Sequence, residues 1–300
     1  MVFFLAAGTA VAAASVGAWA AMADYGDPAP RVTVNYVALG DSRAAAPAIG
    51  LPVDLDGCGR TGAGYPRVVA AGLAAAHFTD VTCSGATTAN ITLSAQRTRR
   101  KPEREVPPQI MAVQPDTTLV TLSIGGNDID WPRLIGPCFG VSTTDDRKCR
   151  SNAPLRALVE TRMAMLARRL GEVLDAIHTR APAARMLLVG HGGYFGPHGC
   201  PKAANLTDAD AEFVGKFFDR FNTVLRASAQ NHHAEYVDVA GPAVGHDACA
   251  TLDKRWFQGN VSAAPLLARH PTPLGSGQMG RLVVDKWRNL KPAPISAAGR

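Results

Sequence analysis

The sequence predicts an α/β fold, a mostly parallel sheet covered by helices on both faces. Short β-branched runs alternate along the chain with longer segments of helical periodicity. The strongest runs stop abruptly at glycine-containing turns, at Gly40, Gly125 and Gly190. Strand–helix alternation of this kind implies βαβ units with right-handed crossovers. No period of about 20–50 residues repeats, which argues against a solenoid or propeller.

The elements follow in order. Asp24–Arg31 reads as a Pro-containing linker, and residues 32–300 as the folded domain. Val32–Leu39 (VTVNYVAL) is a β-branched run that ends at Gly40-Asp41-Ser42. Tyr65–Ala75 reads as a helix and Thr79–Cys83 as a short strand. Thr117–Ile124 (TTLVTLSI) is a second strong strand and ends at Gly125-Gly126-Asn127-Asp128. Leu155–Thr179 is the clearest helix, because Leu155, Leu158, Val159, Met163, Leu166, Leu170, Val173, Leu174 and Ile177 recur at helical spacing. Arg185–Val189 is a strand. Asp208–Gln230 is a helix whose Phe213, Phe217, Phe221 and Leu225 form one core-facing stripe. Tyr236–Val239 is a last strand and Ser276–Asn289 a terminal helix. In such sheets, chemistry gathers beyond the carboxyl ends of the strands. The loops Gly40–Ser42, Ser84–Ala86 and Gly125–Asp128 are therefore expected to open onto one rim.

Composition is that of a globular chain, with 47% hydrophobic and 19% charged residues among 300. The net charge is +6 and the pI about 9.1. Part of that charge forms one run, Arg97, Arg99, Arg100, Lys101 and Arg104. It reads as a solvated loop or, more sharply, as a patch for an anionic membrane or cell-wall surface. Nucleic acid is not expected as a partner, because no binding motif or aromatic–basic interleaving accompanies the charge.

The first charged residue is Asp24, and Val2–Met22 is apolar or small throughout. Ala18-Trp19-Ala20 and Ala21-Met22-Ala23 both offer the small–x–small pattern of signal cleavage. No basic residue precedes the run, and it is long enough to span a bilayer if retained. Residues 1–23 thus read as a signal peptide or N-terminal anchor, and the expected location is secreted or cell-surface. The six cysteines, Cys58, Cys83, Cys138, Cys149, Cys200 and Cys249, all follow this leader, and none has metal-type spacing. They permit fifteen pairings. Closing nearest neighbours is one of them, each bridge contributing about 2–4 kcal/mol.

Acyl transfer to water needs a nucleophile, a base and donors aimed at the oxyanion. Ser42 follows a strand and a glycine, which can expose its hydroxyl at the rim. Asn127 follows two glycines that let the backbone approach a ligand, and Gly85 can present a backbone N–H. Of eight histidines, His270 is the one that a loop–helix boundary near the C-terminus could return across the sheet edge. His191-Gly192-Gly193 has some likeness to a lipase oxyanion loop, but the chain lacks the G-x-S-x-G elbow of the α/β-hydrolases. Taken singly, each of these motifs is an ordinary turn.

Together they are specific. Tyr36-Val37-Ala38-Leu39-Gly40-Asp41-Ser42, Cys83-Ser84-Gly85-Ala86-Thr87-Thr88, Ser123-Ile124-Gly125-Gly126-Asn127-Asp128 and His270-Pro271-Thr272 occur in that order. From about residue 32 to 288 the chain resembles the SGNH (GDSL-type) hydrolases, most of all secreted actinobacterial esterases and lipases with three disulfides. The resemblance implies a three-layer, flavodoxin-like α/β/α domain and the pairing Cys58–Cys83, Cys138–Cys149 and Cys200–Cys249. It implies Ser42 as nucleophile, His270 as base, and an oxyanion hole from the Ser42 and Gly85 N–H groups with the Asn127 amide.

Two positions depart from that family's pattern. Leu267 stands where an Asp usually precedes the histidine, so its main-chain carbonyl is expected to orient His270 in a Ser–His dyad. Arg43 follows the nucleophile where Leu or Tyr is usual, either bearing on substrate preference or pointing to solvent. The expected activity is hydrolysis of carboxyl esters of acyl lipids or short acyl chains. Alternatives are an O-acetyl esterase acting on glycans and a catalytically weak surface protein that binds lipid or polymer. No cofactor or metal is expected, and the chain is expected to act as a monomer. Asn90, Asn205 and Asn260 head N-x-[ST] sequons.

Overall fold

A computed structural model of the chain describes residues 33–48, 54–98, 101–201, 203–261 and 266–290. The expected leader and linker lie outside the described residues, as do Arg99 and Arg100 of the basic run. The strands are β1 (Asn35–Gly40), β2 (His77–Asp80), β3 (Gln96–Arg97), β4 (Glu105–Val106), β5 (Leu119–Ser123), β6 (Arg185–Val189) and β7 (Ala234–Val237). The helices are α1 (Ser42–Ala45), α2 (Tyr65–Gly72), α3 (Thr88–Thr92), α4 (Gly126–Ile129), α5 (Trp131–Leu134), α6 (Ala153–Arg180), α7 (Asp208–Asn231) and α8 (Pro273–Asn289).

Five strands form a parallel sheet in the order β2-β1-β5-β6-β7. Counted within the sheet this is the flavodoxin-like order 2-1-3-4-5. β1, β5 and β6 are buried almost throughout, as inner strands of a sheet covered on both faces must be. The chain runs one way from β1 to β2 and the other way from β5 through β6 to β7. Right-handed crossovers therefore put α2 on one face and α6 and α7 on the other. α8 packs against α2, and α6 against α7. The reversal between β1 and β5 opens a crevice at their carboxyl ends, where Gly40 pairs with Ser123. A Cβ at Gly40 would lie 2.5 Å from the Ser123 carbonyl oxygen, so only glycine lets the two strands close there.

Several boundaries differ from expectation for local reasons. The second strand occupies His77–Asp80 rather than Thr79–Cys83; beyond it the Asp80 carboxylate accepts from the Thr82 N–H and hydroxyl, while the Val81 and Cys83 N–H groups still donate to the Ala38 and Gly40 carbonyls of β1. The terminal helix starts at Pro273, capped by the Thr272 hydroxyl accepting from the Gly275 N–H. Phe217, Phe221 and Leu225 of α7 are buried as expected. Leu158, counted on the apolar stripe of α6, is 44% exposed. The 28-residue α6, about 1.5 Å per residue, far outruns the short strands beneath it. Around the basic run, β3 and β4 pair as an antiparallel hairpin, and Arg97 pairs with Glu103. Among the described residues no helix is long and apolar enough to cross a membrane.

Candidate active site

Ser42 opens α1 directly beyond β1. Its neighbour Asp41 caps that helix, the carboxylate accepting from the Arg43 N–H at 2.8 Å. The buried side chain of Gln109 fixes the strand end from the other side. Its carbonyl oxygen accepts from the Gly40 N–H and its amide donates to the Gly40 carbonyl, at 2.7 and 2.9 Å. Burial is the first influence on the Asp41 carboxyl and pushes it up to about 7. The hydrogen bond from the Arg43 N–H and the Arg43 charge pull the other way.

The second loop is braced by the Cys58–Cys83 disulfide, and the Ser84 N–H donates to the Cys58 carbonyl at 3.0 Å. Gly85 then turns through φ +86°, a conformation that favours glycine. Among the described residues, neither the Ser42 nor the Gly85 N–H donates to a protein acceptor. In the third loop Gly125 (φ +107°) leads into α4, which carries Asn127. The Asn127 Nδ2 donates to the Ala86 carbonyl at 2.9 Å and lies 3.5 Å from the Asp41 carboxylate. Asp128 accepts from the Thr88 N–H at 3.1 Å and also from the Thr88 hydroxyl. The three loops are thus tied to one another through Asn127 and Asp128, and the first and third of them line one cleft.

His270 arrives on the strip before α8. That strip is zipped to residues 256–259 by Arg269 N–H to Gly259 O, Gln258 N–H to His270 O and Thr272 N–H to Trp256 O, each at 2.8 or 2.9 Å. The imidazole Nε2 lies 2.8 Å from Ser42 Oγ, and Nδ1 lies 2.8 Å from a main-chain carbonyl. That carbonyl belongs to Ala268, which corrects the expectation of Leu267. Arg269 has φ +60°, and this tight turn brings the carbonyl two residues before the histidine onto its ring. The downstream aspartates serve other loops. Asp238 accepts from the Gly241 N–H and Asp247 from the Cys249 N–H, while Asp253 is exposed.

Ser42, Asn127 and His270 line one cleft of about 410 Å³, together with Asp41, Arg43, Trp131, His191, Tyr194, Asn260 and Arg269. Arg43 does not point to solvent. It is 2% exposed, and its guanidinium donates to Tyr194 Oη at 2.7 Å and to the Gly190 carbonyl at 3.2 Å beyond the end of β6. The same group lies over the Tyr194 and Phe257 rings, 5.3 and 4.8 Å from their centroids. His191 is buried beside Trp131, Phe218 and Phe221, and desolvation first, then the Arg43 charge, holds it well below the usual histidine range. Its main-chain N–H donates to Asn222 Oδ1, so it is not a free oxyanion donor.

Sequence reasoning missed Gln109, Trp131 and Asn260. Asn260, noted only as a sequon, accepts from Arg269 Nε at 2.7 Å inside the cleft. The three disulfides are Cys58–Cys83, Cys138–Cys149 and Cys200–Cys249, the pairing implied by the resemblance.

Comparison with known proteins agrees with this fold. The GDSL-like lipase/acylhydrolase family model matches residues 38–277. Lipase 2 of Streptomyces coelicolor is 33% identical over 267 residues, covering 84% of this chain and 85% of that protein. The crystal structure of phospholipase A1 from Streptomyces albidoflavus superposes with a TM-score of 0.67 at 27% identity, covering 85% of this chain and 99% of that one. The extracellular lipase of Streptomyces rimosus gives a TM-score of 0.65 at 25% identity, with coverages of 85% and 99%. On the family match and on these relatives, the chain belongs to the GDSL-like lipase/acylhydrolase family and is a carboxylic ester hydrolase.

Proposed function

We propose that this hydrolase works through a Ser42–His270 dyad on carboxyl esters of acyl lipids or short acyl chains. One observation carries the reading. Ser42 Oγ lies 2.8 Å from a histidine Nε2 whose other ring nitrogen lies 2.8 Å from the Ala268 carbonyl. A neutral imidazole with Nδ1–H on that carbonyl leaves the Nε2 lone pair facing the hydroxyl. His270 takes the Ser42 proton as Oγ adds to the ester carbonyl. The oxyanion so formed is met by the Ser42 and Gly85 N–H groups and by the Asn127 amide. Collapse returns the proton to the leaving alcohol and leaves an acyl-serine. Water, deprotonated by the same imidazole, releases the acid and restores Ser42.

The apolar leader over residues 1–23 and three disulfides support export, as does the likeness to an extracellular lipase. We read the exported chain as secreted or held at the cell surface, acting as a monomer without a metal or cofactor. The basic hairpin around Lys101 is a candidate contact for an anionic membrane or cell-wall polymer.

The test is a fluorophosphonate probe followed by peptide mapping, with hydrolysis of p-nitrophenyl esters of graded chain length. Labelling at Ser42, absent in Ser42→Ala, is expected. Labelling elsewhere, or hydrolysis that survives Ser42→Ala, would overturn the assignment. Faster turnover of acetylated sugars than of any acyl ester would move the substrate to glycans.

A further inference from the structure

The cleft contains two guanidinium groups, and among the described residues neither forms a salt bridge with a carboxylate. Arg43 is fully buried, and its terminal nitrogens donate to neutral oxygens, those of Tyr194, Gly190 and Gly192. It is a fixed positive charge in the cleft wall. Arg269 precedes His270, and its guanidinium lies 5.8 Å from the Trp131 ring centroid. Nε is held by Asn260 Oδ1 at 2.7 Å, while both terminal nitrogens lack a protein acceptor among the described residues. A guanidinium anchored through Nε and a ring face is pre-organised, so ordering its free edge around a ligand costs little.

Below about pH 7 the other titratable groups of the cleft do not cancel this charge. Asp41, the acid of the cleft, is pushed by burial to about 7, and His191 is kept neutral by desolvation and by Arg43. The backbone adds a second observation. Arg269 occupies φ +60°, a left-handed conformation in which a non-glycine residue is strained. Glycine would relieve that strain, yet the position carries a long cationic side chain directed into the reaction cleft.

We propose that Arg269, backed by the buried charge of Arg43, selects esters that carry an oxyacid anion a few bonds from the scissile carbonyl. The shared chemistry is a phosphate or carboxylate taking two hydrogen bonds from one guanidinium edge. Hydrolysis leaves that anion untouched: the acyl C–O bond breaks, water adds, and the acid and alcohol leave. This inference rests on the ester-hydrolase reading of the same site, and its test separates the two.

Turnover is compared within matched pairs. Mono-p-nitrophenyl glutarate against p-nitrophenyl butyrate places a carboxylate on the acyl side. Dibutyryl glycerophosphate against dibutyrylglycerol places a phosphate on the alcohol side. At least one anionic member is expected to exceed its neutral partner about tenfold in kcat/KM. That ratio should collapse about tenfold in Arg269→Gln, chiefly through KM, and recover in part in Arg269→Lys. It should also shrink in high salt. Ratios near one for both pairs in the native enzyme, or a ratio that Arg269→Gln leaves intact, would overturn the proposal. A second readout needs no turnover. Ser42→Ala should bind glycerol 3-phosphate at least tenfold more tightly than glycerol, and Arg269→Gln should abolish the difference. Binding that meets this expectation without fluorophosphonate labelling of Ser42 would leave the anion site standing and refute the hydrolase mechanism. Equal binding of the two ligands would refute the anion site.

Discussion

The Nδ1 atom of His270 lies 2.8 Å from the main-chain carbonyl oxygen of Ala268. A carbonyl fixes tautomer and ring direction without adding the negative charge that would stabilise an imidazolium. Removing either dyad member should therefore stop turnover. Ser42→Ala and His270→Ala are each expected to lower kcat by about 10⁴-fold or more. Alanine at Asp238, Asp247 or Asp253 should leave most activity, since those side chains serve other loops or solvent. If one of the three proves as damaging as His270→Ala, a carboxylate does take part.

The Asn127 Nδ2 donates to the Ala86 carbonyl at 2.9 Å and lies 3.5 Å from the carboxylate of Asp41, the neighbour of Ser42. Asn127→Ala should lower kcat by roughly 10²–10³-fold with little change in KM, as loss of an oxyanion donor does. Steady-state kinetics on one p-nitrophenyl ester decides this. A loss confined to KM would make Asn127 a ground-state binding residue.

The parallel sheet was legible because buried strands and amphipathic helices differ in period, and that difference survives in β1, β5, β6, α6 and α7. The short helices α1, α3, α4 and α5 were not legible. At four or five residues they carry no periodicity and exist because of caps and loop ties such as Thr88 to Asp128. Ser42, Gly85, Asn127 and His270 could be found from four ordered blocks. Ala268 could not, because the choice between neighbouring carbonyls depends on the positive φ of Arg269. Nor could the burial of Arg43, since a cation beside a turn ordinarily faces water. Trp131 and Asn260 join the cleft from segments far apart in sequence, with no motif to link them.

The Cys58–Cys83 bridge holds the loop that presents Gly85, whereas Cys138–Cys149 lies beyond α5. Replacing each pair with alanines should cost about 2–4 kcal/mol of stability. Only loss of Cys58–Cys83 should also lower kcat at temperatures where the protein stays folded. Equal effects on kcat from both replacements would mean that the Gly85 loop is held by its other contacts.

Arg43 joins α1 to the end of β6 through Tyr194, Gly190 and Gly192. Arg43→Ala would leave buried acceptors without donors and a void over the Tyr194 and Phe257 rings. A cost of about 3–5 kcal/mol is expected, read as a fall in denaturation midpoint. Arg43→Met keeps most of the stem and should be milder, which separates packing from hydrogen bonding. A midpoint unchanged in Arg43→Ala would show that α1 and β6 hold together without it.

Asp41 makes stability depend on pH in a direction opposite to that of most carboxylates. Its folded-state value, about 7, lies above the ordinary value of 3.8 because burial disfavours the ionised form. Between those limits the folded protein holds a proton that the unfolded chain releases, so stability falls as pH rises. The contribution is whole below about pH 4, is lost progressively as pH climbs through about 7, and then levels. At about 1.4 kcal/mol per pH unit, the full change is on the order of 4 kcal/mol. Asp41→Asn, which mimics the neutral acid and keeps an acceptor for the Arg43 N–H, removes the titration. The midpoint of the native protein should therefore drop relative to Asp41→Asn between pH 4 and 7 and run parallel to it above pH 8. A difference that stays constant across that range, or that grows in favour of the native protein as pH rises, would mean that Asp41 is ionised in the fold throughout.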